Sequence, residues 1–95
     1  MTSETNTSER TLQLSEVLNL PAAAPLAQTL GEKRGADIVI DASQVQQVGA
    51  QCLQVLLSAA STWNADGAAL RIVHRSAGFV AGLELLGIPA ATFAE

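Results

Sequence analysis

The sequence predicts an α/β fold: a mostly parallel or mixed sheet of about four strands with about three helices, in the order β-α-β-α-β-α with a final candidate strand. Two observations carry this reading. Short β-branched runs alternate along the chain with longer segments whose apolar residues recur at helical spacing, and such alternation calls for parallel strands joined by right-handed crossovers. The second observation is size. A chain of 95 residues is one small domain that buries roughly 60–65% of its unfolded surface, enough for a two-layer core but not for a deep cleft between domains.

The elements follow in order. Residues 1–10 hold two Glu and five Ser/Thr, too little apolar area to offset their ordering entropy, so they are expected to be a disordered tail ahead of a domain over 11–95. Thr11-Leu12-Gln13-Leu14 alternates polar and apolar as a half-buried strand does, and Val17-Leu18 extends or answers it. Asn19 and the prolines at 21 and 25 suit a helix entrance. Ala22, Leu26, Ala27 and Leu30 then share one face, and Lys33-Arg34-Gly35 closes the helix with cations and a capping glycine. Asp37-Ile38-Val39-Ile40-Asp41 reads as a central parallel strand buried on both faces.

Ala42 to Gly49 reads as a polar connector interrupted by Val45 and Val48. A second helix is predicted from Ala50 to about Ala65, with Leu53, Leu56, Leu57 and Ala60 at its apolar centre and Cys52, Val55, Ala59 and Trp63 widening the arc. Gln51, Gln54, Ser58 and Ser61 form its polar stripe. Asp66-Gly67 ends it, and Ala69 to Val73 is the next strand. Ser76 is placed to cap a third helix over Ala77 to Leu86, with Phe79, Val80, Leu83 and Leu86 at helical spacing and Gly87 as the stop. Ile88-Pro89 turns the chain, and Ala91-Thr92-Phe93 is the candidate last edge strand.

Composition narrows function. The formal net charge is -4, and the cations are Arg10, Lys33, Arg34, Arg71 and Arg75, too few and too scattered for a phosphate-neutralising surface, so no nucleic acid is expected as a partner. No stretch reaches the roughly 18–20 apolar residues of a spanning helix, so no membrane insertion is expected. Met1 to Arg10 lacks the apolar core of an export signal. The lone Cys52 forms no internal disulfide and suits a reducing compartment, which makes the cytoplasm the expected location.

Chemistry is sparse. One His and one Cys do not complete a tetrahedral metal site, so neither a metal nor a cofactor is expected. Asp37 and Asp41 share a strand face but stand roughly 13 Å apart, which reads as a polar boundary. Cys52 near a helix start, with His74 elsewhere, raises thiol catalysis as an alternative, but no oxyanion loop or orienting third residue accompanies them, and the inert buried thiol is the plainer reading. His74 after its strand reads as a solvated or capping imidazole, or as the edge of a small-ligand site. Phosphate-loop motifs are absent. Gly78 and Gly82 permit close helix packing, and Trp63 and Phe79 fit core positions.

The segment from Asp41-Ala42-Ser43 through Gln46-Gln47-Val48-Gly49-Ala50-Gln51-Cys52-Leu53-Gln54 to Leu57 resembles the STAS family of bacterial anti-sigma-factor antagonists and sulphate-transporter tails. The likeness runs from about Gly35 to Gly87. It implies one STAS-like domain over 11–95, a non-catalytic interaction module in bacterial signal transduction. In the family's antagonists a serine at the mouth of this helix is phosphorylated by a partner kinase, and the added charge breaks the complex. Here Gly49 stands for the family's acid and Ala50 for that serine, so the switch has no hydroxyl to act on. Ser43 and Ser58 are the nearest alternative phosphosites.

The resemblance implies a docking surface at Val48, Gly49, Ala50, Gln51, Gln54, Ser58 and Ser61. Serine-less chains of this kind resemble chemotaxis-associated STAS proteins, which implies a histidine kinase or related pathway component as partner. An anti-sigma antagonist or the STAS subunit of a lipid-transport ABC system is the alternative, and homodimerisation is compatible with all three. Only 15% of residues are charged, against about 25% in an average domain, and none lies between Asp41 and Asp66. A partner-covered surface is therefore expected on that loop and helix.

Overall fold

The computed structural model describes residues 9–95. Strands β1 (Glu9–Gln13) and β2 (Val17–Leu18) lead into α1 (Leu20–Glu32). Then come β3 (Asp37–Asp41), β4 (Gln47–Val48), α2 (Ala50–Ala65), β5 (Leu70–Val73) and α3 (Ala77–Leu85). The expected tail falls outside the described residues except for Glu9 and Arg10, which belong to β1 because they pair with Asp37 and Ile38. Main-chain pairing along β3 starts this strand, two residues ahead of the alternating pattern.

The strands form two parallel sheets, one in the order β1-β3-β5 and one of β2 with β4. β3 is central, as its β-branched run predicts, but it is not buried on both faces. Ile38 and Ile40 are buried while Val39 is half-buried, since its row across the sheet is Thr11–Val39–Arg71 and that of Ile40 is Leu12–Ile40–Ile72. Only the second row meets the core. That core gathers Leu14, Ile38, Ile40, Leu53, Leu56, Trp63, Ile72, Phe79 and Leu83, and each such side chain contributes roughly 1.5–3 kcal/mol by leaving water.

Val17-Leu18 neither extends nor answers β1. It pairs with Gln47-Val48, inside the stretch that reads as a connector. The Glu16 carbonyl accepts from the N–H groups of Gln46 (2.7 Å) and Gln47 (3.2 Å), and the Leu18 carbonyl accepts from Gly49 N–H (2.9 Å). A strand of two residues has no period to read.

α1 begins after Asn19, with Pro21 in its first turn and Pro25 inside it. Leu26 and Leu30 are buried, but Ala27 is exposed at the groove between α1 and α2, because the buried arc turns toward Ala22 and Ala23. The cations do not lie in its last turn. Lys33 is the C-cap, and Arg34 beyond it makes a two-pronged ion pair with Asp66, Nε to Oδ2 at 2.9 Å and Nη2 to Oδ1 at 3.0 Å. Both helices thus start together and end together.

α3 begins at Ser76, whose Oγ accepts from Phe79 N–H at 3.1 Å and donates to the Val45 carbonyl. The expected final strand does not form. Pro89 leads into a short 3-10 turn over Ala90–Thr92, followed by a single parallel bridge from Ala94 to Arg71. The Arg75 guanidinium takes the carbonyls a strand would need, donating to Ala90 (2.8 Å), Phe93 (2.7 Å) and Ala94 (3.3 Å).

Candidate functional site

The entrance of α2 is assembled by backbone. β4 is held on one edge by β2, and α3 lies against it through glycine. A Cβ on Gly78 would overlap the Gln46 carbonyl, and one on Gly82 would overlap Val48 Cγ1, so only hydrogen lets α3 approach this closely. Gly49 then turns the chain into α2 as an extended N-cap whose carbonyl accepts from Leu53 N–H at 3.1 Å. No side chain caps this end, and no acid stands in the first turn.

Cys52, Leu53, Leu56, Ala59 and Trp63 point inward from α2, while Leu57 and Ala60 are half-buried. Trp63 Nε1 donates to the Ala36 carbonyl at 2.8 Å, which satisfies its one polar atom. The opposite face is a continuous exposed stripe of Gly49, Ala50, Gln51, Gln54, Ser58 and Ser61. Val48 leaves the expected surface. It is 9% exposed, and its side chain fills the space above Gly82.

The remaining candidates are not brought together. The Asp37 carboxylate accepts from Ala69 N–H at 2.9 Å, and that of Asp41 accepts from Ser43 N–H at 2.8 Å. Asp41 closes the turn that follows β3, while Asp37 at the other end of the strand ties it to the residue that precedes β5. Hydrogen bonds from Ser43, its side chain first and its backbone second, hold the Asp41 carboxyl below its ordinary range. His74 is exposed after β5 with φ +52, close enough to Asp41 for its charge to add to that lowering. Cys52 is enclosed, its thiol donating to the Asn19 carbonyl at 3.4 Å, and burial pushes its pKa up. Activation of a nucleophile needs the reverse. Among the described residues no group of three or more His, Cys, Asp or Glu converges as a metal site, and no helix is long and apolar enough to cross a membrane.

Two features escape a reading of the sequence. Arg75 is one: its side chain is 5% exposed and gives its whole donor fork to carbonyls and Glu95. The other is a set of exposed apolar side chains, Val17, Leu20, Leu85 and Leu86, although Leu86 fits the core period of α3. A short helix that is apolar nearly all round leaves some leucine outside, and that is the signal that was available.

The chain is thus a small parallel α/β domain that offers an uncharged helix face, with its only thiol withdrawn into the core. The family model described as Mlab, STAS domain matches residues 1–90, and the chain belongs to the STAS family. STAS domains are generally non-catalytic binding modules. No curated protein and no solved structure matches the chain.

Proposed function

We propose that this chain is a non-catalytic docking module that binds a signalling protein through the entrance and exposed stripe of α2. The observation that supports this reading is the continuous exposed face from Gly49 to Ser61, which carries no charge and follows directly on β4, the strand against which two glycines of α3 pack. Covering such a face costs little desolvation, whereas covering charges is expensive unless each is paired. With Ala50 where the family's serine stands, docking here is not released by phosphorylation of that residue.

Within this reading the partner is a chemotaxis histidine kinase, supported by the likeness of Gly49-Ala50-Gln51-Cys52-Leu53-Gln54-Val55-Leu56 to serine-less chemotaxis-associated members. Titration of the purified chain with the kinase tests it. Wild type binds, while Ala50→Asp and Gln54→Glu weaken binding by about tenfold or more at an unchanged melting temperature. Absence of binding by the wild-type chain would remove the kinase from the account. An anti-sigma factor or a lipid-transport ATPase in the kinase's place would be sensitive to the same two substitutions.

A further inference from the structure

β1 ends its sheet, and one of its two edges is open. The Leu14 N–H donates to the Asp41 carbonyl at 2.9 Å, which fixes the phase of the parallel ladder. The main-chain N–H and C=O groups of Arg10 and Leu12 therefore point to β3, and those of Thr11 and Gln13 point away from it. Among the described residues, no main-chain group pairs with the outward groups of Thr11 and Gln13. The other edge of the sheet is closed, because the Ile72 N–H of β5 donates to the Ala94 carbonyl.

The apolar layer is open at the same place. In the row Leu12–Ile40–Ile72 the two isoleucines are fully buried, but Leu12 is only half-buried. Beside it runs a groove between β1 and α1, lined by Leu12, Leu14, Leu18, Ala22, Pro25 and Leu26. An unpaired edge next to an unfinished apolar row is a template that one more strand completes.

We infer that the strand is β1 of a second copy, paired antiparallel about a two-fold axis that passes through Leu12 perpendicular to the sheet. The outward groups of β1 match themselves in this register. Thr11 falls opposite Gln13 of the second copy, and the same pair recurs across the axis, so the two copies exchange four N–H···O bonds. Leu12 meets Leu12, which carries the apolar row through both molecules. Arg10 falls opposite Leu14, and the two guanidinium groups stand roughly 14 Å apart along the strands. The neighbouring registers are worse. An axis at Thr11 sets Arg10 against Leu12 and places a charge in the apolar row, and an axis at Arg10 opposes the two cations. Because α2 packs on β5, at the other edge of the sheet, this pairing does not compete with docking on α2.

Sedimentation velocity of the full-length chain over a range of concentrations tests the inference. The wild type should move from one chain mass toward two as concentration rises, since one short strand and its groove make a small interface. Proline at position 11 removes an N–H that β3 does not use, and edge strands accept proline. Thr11→Pro therefore deletes two of the four bonds between copies and should weaken the dimer by about tenfold or more, while Gln54→Arg on α2 should leave it unchanged. Register is read by oxidation. Leu12→Cys meets its own copy and should form a disulfide-linked dimer, whereas Arg10→Cys, on the same side of the sheet, should not. This second arm decides alone if the proline variant does not fold. A wild type that stays at one chain mass, a dimer indifferent to Thr11→Pro, or no disulfide at position 12 would overturn the inference. Loss of the dimer in Gln54→Arg with Thr11→Pro unaffected would move self-association to α2 and overturn it as well.

Discussion

Gly78 and Gly82 show how much of this fold rests on single atoms. Both positions lack room for a methyl group, but for different neighbours. At Gly78 the obstacle is backbone, with the Val45 carbonyl oxygen 2.8 Å from the place a Cβ would occupy; at Gly82 it is chiefly the Val48 side chain, which has rotamers to spend. Gly78→Ala should accordingly cost about 2–3 kcal/mol and Gly82→Ala about 1–2 kcal/mol, read from denaturant midpoints. Equal costs, or a larger cost at Gly82, would mean that α3 does not rest on β4 as described. Cys52 carries the second prediction at this scale. Because the thiol is enclosed and its pKa raised, a thiol-reactive probe at neutral pH should label it only after unfolding. Prompt labelling of the native chain would return thiol chemistry to consideration. The sequence displays the glycine pair and the lone cysteine, but not what faces them: a Gly-x-x-x-Gly spacing says that something comes close, and only the fold says that it is β4.

At the scale of elements, legibility followed length and periodicity. α2 over Ala50–Ala65 and β3 over Asp37–Asp41 match their patterns because each repeats its period several times. β2 and β4 escaped because two residues make no pattern, and their pairing depends on a Glu16 carbonyl that meets Gln46 and Gln47 only after the chain has folded. The C-terminal segment escaped for another reason. Its Ala-Thr-Phe run has strand composition, but the Arg75 fork takes its carbonyls and winds it into a 3-10 turn with one bridge. Arg75→Ala should therefore release residues 90–95 while the parallel sheets persist. In hydrogen exchange, the Ile72 amide, which donates to the Ala94 carbonyl at 2.7 Å, should lose protection, while the Leu14 amide on Asp41 should keep it. Unchanged protection at Ile72 would show that Phe93, buried in the core, holds the segment without the arginine.

Across the whole molecule, charge is segregated. The 15% charged content is thin everywhere, but the gap from Asp41 to Asp66 falls on one exposed helix face and its entrance. The ion pair of Arg34 with Asp66 closes the far end of α1 and α2. The side of the sheet through Thr11, Val39 and Arg71 is a second surface without fully buried residues, and it is the natural competitor of α2 for a partner. The candidate stripe was readable as residues because a charge-free run needs no structure to be seen. Its outline was not: Val48, expected on the surface, turns inward onto Gly82.

The central claim is that partners meet the α2 face. Hydrogen exchange of the chain alone and in complex with its purified partner tests this most directly. The account predicts slowed exchange in residues 49–61, with β1 and β5 unchanged. Slowed exchange along β1 and β5 with α2 unaffected would contradict it.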